Sequence, residues 1–92
     1  MILRLNASTH LHWRRWDDEW TVFDVGSGQT HQMDTLTAVT LMFLETDTLE
    51  ENELISRIAE EFLIPFDMRL SGAMKNILER LIHIGLIESS ST

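Results

Sequence analysis

The sequence predicts an α+β fold in which an N-terminal three-stranded antiparallel sheet is followed by three α-helices. Three observations carry this expectation. Aromatic and β-branched residues form short alternating runs as far as Met33. At Asp34 the apolar spacing changes from two residues to three and four. Beyond it, cap and proline signals divide the chain into three helical stretches.

Leu11 to Trp16 and Trp20 to Val25 read as strands, and the polar cluster Asp17-Asp18-Glu19 between them reads as a tight turn. Gly26-Ser27-Gly28 ends the second run, where either glycine can take the positive φ of a hairpin turn. Gln29 to Met33 then offers a third strand, completing a meander. Alternation puts Trp13 opposite Trp16, and Trp20 and Val22 opposite Phe23 and Val25. One face can cover helices, while the other is not fully polar.

Asp34 can accept the free N–H groups of a first helical turn, and helix one then runs to about Glu45. Its Leu36, Val39, Leu41, Met42, Phe43 and Leu44 leave little polar face, so this helix is expected at the centre of the core. Thr48-Leu49-Glu50-Glu51 fits a capping box opening helix two, which ends near Phe62 or Leu63. Leu54, Ile55, Ile58 and Phe62 form its buried face. Pro65 forbids continuation, Asp67 is the next cap, and helix three runs from Met68 to about Ile84. Leu70, Met74, Ile77, Leu81 and Ile84 make its apolar stripe, and Gly85 stops it. Leu86-Ile87-Glu88 reads as too short for another element, and Ser89 to Thr92 as a frayed tail.

A chain of 92 residues fits one domain, 1–92, with an ordered core over about 10–88. The absence of cysteine removes disulfides, thiolate metal sites and cysteine nucleophiles. No apolar run approaches the roughly 20 residues of a membrane span, and Met1 to Thr9 lacks a signal-peptide core, so the expected location is the cytoplasm with no membrane partner. Nearly all of the net charge of −8 sits in the helical part, where residues 34 to 92 hold four bases against eleven acids. Such a surface repels phosphate backbones, and no nucleic-acid partner is expected.

Enzymatic chemistry is not expected. There is no glycine-rich phosphate loop and no Ser/His/acid spacing that a known mechanism requires, and no cofactor is implied. His10 and His12 share one side of a strand, but a metal site needs about three or four converging ligands, so no metal is expected. Asp17-Asp18 and Glu60-Glu61 read as solvated charges, and at least two of the three tryptophans as core packing.

The physical feature that remains is the third strand. If the meander order holds, one ladder of N–H and C=O groups along Gln29, Thr30, His31, Gln32 and Met33 is unpaired, and an exposed edge is a docking site for an extended peptide. Helix three would supply the other wall through Arg69, Ala73, Asn76 and Arg80, with Ile77 bordering both this stripe and the core. The bland alternative is that this stripe is a solvated helix face.

His12-Trp13, Val22-Phe23-Asp24, Thr30-His31-Gln32-Met33-Asp34 and the terminal Leu81-Ile82-His83-Ile84-Gly85-Leu86-Ile87-Glu88 together resemble the PqqD-like family. These are small winged-helix-like domains that bind leader segments of ribosomally made peptides and present them to modifying enzymes. More narrowly, Asp24-Val25-Gly26-Ser27-Gly28-Gln29-Thr30-His31 is similar to the subgroup encoded beside relatives of HPr kinase, the HPr-rel-A system. The resemblance covers about Leu11 to Glu88. It implies a leader or precursor peptide as guest, a peptide-modifying enzyme as partner, and strand addition to the third strand against the third helix. Glu45-Thr46-Asp47 in place of an Asp-Gly turn, and Leu86 where Trp often follows the glycine, separate the chain from the proteins of quinone-cofactor assembly.

Two other readings compete. A helical trio beside a small sheet also describes a winged-helix DNA-binding regulator, although helix three carries only Arg69, Lys75 and Arg80 as bases. The third is a structural module that homodimerises through the tryptophan-bearing sheet face.

Overall fold

Residues 1–90 are described by a computed structural model. They form β1 (Ile2–Leu5), β2 (Leu11–Trp16), β3 (Glu19–Asp24), β4 (Gln29–Met33), α1 (Thr35–Thr46), β5 (Leu49–Glu50), α2 (Glu51–Phe62), α3 (Met68–His83) and β6 (Ile87–Ser90). The class is α+β, and the meander precedes the helices as the sequence predicts.

β2, β3 and β4 make one antiparallel sheet in that order, with Arg15 opposite Trp20 and Val22 opposite both Trp13 and His31. The register buries Val22 and Asp24 and half-buries Trp13, Trp20, His31 and Met33, leaving Trp16 and Phe23 exposed. Two tryptophans therefore pack inward and one does not. Trp13 and Trp20 meet edge to face at 5.8 Å, and the Arg15 guanidinium lies over the Trp20 ring.

The two turns use different devices. Between β2 and β3, Asp17 takes a left-handed φ of 52°, a conformation that Asp tolerates better than most residues. After β3, Gly28 supplies the positive φ, at 76°, whereas Gly26 is required for space. A Cβ on Gly26 would come within 1.9 Å of the Ser8 carbonyl oxygen. Asp24, 5% exposed, holds this corner together. Its Oδ1 accepts from the N–H groups of His10 and Gly26, and its Oδ2 from the Ser27 hydroxyl.

A second sheet, in the order β5-β1-β6, departs from the sequence expectation. The chain before Leu11 is a strand whose Leu3 is fully buried, and Leu86 to Ser90 is neither too short nor frayed: Leu86 and Ile87 are buried and β6 pairs with β1. Arg4 lies opposite Glu88 and bonds its carboxylate at 3.1 Å. Neither strand has enough local apolar pattern to announce itself, because each is stabilised by the ladder of a partner at the far end of the chain. The expected tail residues Ser91 and Thr92 lie outside the described residues.

Asp34 caps α1, accepting from the Thr37 N–H at 2.8 Å, and Asp67 caps α3, accepting from the Leu70 N–H at 3.1 Å. The start of α2 differs from the expected Thr48 box. Leu49-Glu50 is paired with β1, so the chain stays extended to Glu50, whose carboxylate accepts from the Asn52 N–H. α2 ends at Leu63 in a left-handed conformation, φ 54°, and α3 ends at His83, where Gly85 at φ 83° lets the Leu86 N–H reach the Leu81 carbonyl. α1 contributes Ala38, Leu41 and Leu44 to the core, as its apolar run predicts. Leu54, Ile58, Met74, Leu78 and Leu81 meet them from the other helices, and Leu3, Leu49, Leu86 and Ile87 from the second sheet. No helix among the described residues is long and apolar enough to cross a membrane.

Candidate functional site

Among the described residues β4 is hydrogen-bonded only to β3, so its outer ladder of backbone N–H and C=O groups is unpaired there. Beside that edge runs a cavity of about 290 Å³. Thr30, His31, Gln32 and Met33 line its strand side. Arg80, Leu81 and Ile84 of α3 and Thr37 of α1 form the opposite wall. β2 is the other open edge of the sheet, but β4 alone combines a free ladder with a helical wall along the same cavity.

Of the residues singled out from sequence, Thr30, His31, Gln32, Met33 and Arg80 are brought together here. Gln29 sits at the start of β4, opposite Asp24 and outside the cavity lining. Arg69 and Ala73 line a separate hollow of about 330 Å³, with Leu36, Ile64 and Leu70. Asn76 is exposed and borders neither space, and Ile77, 7% exposed, belongs to the core. The strand therefore faces the last turns of α3 and not its middle.

Sequence reasoning missed Thr37, Leu81 and Ile84 as lining residues. Leu81 and Ile84 read as core stripe, yet Ile84 is 36% exposed at the open end of the groove. Its place directly before the Gly85 stop was the available signal, because an apolar side chain at a helix end has no next turn to cover it. Thr37 carried a signal too, as a polar residue on a helix read as wholly buried.

The lining has an uneven charge pattern. Next along the same edge lies a hollow of about 350 Å³ where Asp18, Glu19 and Asp34 surround Arg80. The Asp34 carboxyl is held below its ordinary range, first by the Thr37 hydroxyl and then by the Thr37 N–H, with burial opposing and Arg80 adding. Thr37 Oγ1 is near that carboxylate, yet it is buried with no hydrogen-bond partner among the described residues. His31 Nε2 is likewise buried and unpaired. Asp24 is also held low: burial pushes its carboxyl up, but the bonds from His10, Ser27 and Gly26, with His31 nearby, outweigh that.

A larger hollow, about 510 Å³, is elsewhere, on the outer face of the first sheet among His12, Arg14, Thr21, Phe23 and Val25. It is apolar and lies over β2 and β3, with no helix residue in its lining. Among the described residues, no three His, Asp or Glu side chains cluster so as to hold a metal ion.

No family model and no curated protein matches the chain. Among solved structures it is similar to TbiB1 in complex with the TbiA(beta) leader peptide, with a TM-score of 0.69 and 17% sequence identity, covering 97% of this chain and 99% of that one. At that identity the likeness shows a shared fold over nearly the full length of both chains.

Proposed function

We propose that this chain is a non-catalytic peptide-binding domain that captures the leader or precursor segment of a peptide by strand addition to β4 and presents it to a partner modifying enzyme. The observation that carries the reading is the unpaired β4 ladder standing beside the cavity walled by Thr37, Arg80, Leu81 and Ile84. Main-chain pairing supplies affinity that does not depend on guest sequence, and the cavity supplies selectivity. The shared fold with a protein whose structure holds a leader peptide supports this use of the groove. The PqqD-like resemblance of the sequence, with its HPr-rel-A subgroup, points the same way. Gln29 to Met33 with Arg80 are the contact residues of this reading; Arg69, Ala73, Asn76 and Ile77 stand further from the edge and contact only a guest that extends past it.

Proline scanning of β4 tests it. Proline removes a backbone donor, so substitution at the residues whose N–H points away from β3 should abolish retention of extended peptides without unfolding the chain. Substitution at the alternate positions should damage the fold instead. Peptide retention unaffected by proline at Thr30, His31 and Gln32, in variants that still melt cooperatively, would refute strand addition here.

A further inference from the structure

The two buried polar side-chain atoms without a partner among the described residues, His31 Nε2 and Thr37 Oγ1, belong to residues that line one cavity, the one beside β4. Such atoms are costly to leave unmet, and native structures rarely do so without a use for them. Thr40, one turn along α1, shows the ordinary solution: its hydroxyl donates to the Leu36 carbonyl at 2.8 Å. Thr37 has no such bond.

The cationic group of the wall is Arg80, which makes no ion pair within 4 Å among the described residues. A guanidinium can only donate, and an imidazole and a hydroxyl can each donate. Among the described residues no carboxylate lines this cavity, whereas the next hollow along the edge presents Asp18, Glu19 and Asp34.

We infer that the cavity between β4 and the end of α3 takes an acidic side chain of the guest peptide, whose carboxylate accepts from His31, Thr37 and Arg80. The inference rests on the peptide-capture reading above and gives it a side-chain rule. Both orphan atoms are covered in the free chain, so side chains of the cavity have to shift for a guest carboxylate to reach them. Rotamer changes of this kind are common when an interface forms. Charge also fixes the register: an acid shifted toward Met33 meets three carboxylates, and a guest slipped along the strand is rejected.

The probe is a positional-scanning library of short synthetic peptides, offered to the full chain and to the variants Thr37→Val, Arg80→Gln and Lys75→Gln. Lys75 borders a different hollow, with Met1 and Glu51. At one position the native chain should prefer Asp or Glu over Asn or Gln by about tenfold, a typical loss for one charge-assisted hydrogen bond. The preference should collapse in T37V and R80Q and persist in K75Q. Bound peptides with no acid preference, or with one that survives in T37V and R80Q, would overturn the acid cavity while leaving peptide capture standing. Retention of no peptide at all would remove both.

Discussion

The Trp13 indole N–H donates to the Glu45 carboxylate at 2.7 Å, fastening β2 to the last turn of α1. Trp20 makes the matching contact at the other end of the helix, from its Nε1 to the Thr35 hydroxyl. The meander is thus pinned at both ends of α1. Glu45→Ala should cost about 1 kcal/mol, since the bond is exposed. Trp13→Ala, which also removes packing against Trp20 and the core, should cost at least about 2 kcal/mol. Urea unfolding followed by the remaining tryptophans measures both.

The glycine turn separates space from conformation. Gly26→Ala drives a Cβ against the Ser8 backbone and should cost more than about 2 kcal/mol, because a main-chain segment has to move. Gly28→Ala meets nothing within 4 Å and bears only the strain of φ 76°, about 1 kcal/mol. Thermal melts should rank the two in that order, and the reverse order would show that the close approach to Ser8 is not maintained.

Asp24 and Asp34 both titrate below 3.8 in the folded chain. Between the folded and unfolded values the unfolded chain binds more protons, so stability rises with pH there. The contribution is fully present above the unfolded value and is lost as pH falls through the lowered folded ones. Asp24→Asn should therefore lower the melting temperature at neutral pH and flatten its dependence below about pH 4. A variant melt that falls with acid as steeply as the native one would contradict the assignment.

Exchange of backbone amides tests the second sheet. Residues of β6 that bond β1 should be protected together with Leu3 and Leu5, and Ile87→Ala, which empties a buried site, should cost about 2 to 4 kcal/mol. Fast exchange throughout Ile87 to Ser90 would restore the frayed tail.

Legibility in the sequence followed the range of the forces involved. The meander, the Asp34 and Asp67 caps and the Gly85 stop depend on residues a few positions apart, and the pattern exposes them. β1 and β6 do not: Arg4 and Glu88 are 84 residues apart, and only their pairing makes strands of them. Leu49-Glu50 carried a helix-start signature that β1 overrode by pairing with it. The site divides the same way. The free edge of β4 follows from strand order, but the part of α3 it faces depends on the α2–α3 connection and on how the sheet packs. That is why Arg80 was found and Leu81, Ile84 and Thr37 were not.

Amide chemical shifts, recorded while a retained peptide is titrated into the labelled chain, test the β4 groove most directly. Strand addition predicts the largest changes at Thr30 to Met33 and at Thr37, Arg80, Leu81 and Ile84, with slowed exchange of the outward-facing β4 amides. Changes confined to β2, or to His12, Phe23 and Val25 on the outer sheet face, would contradict it.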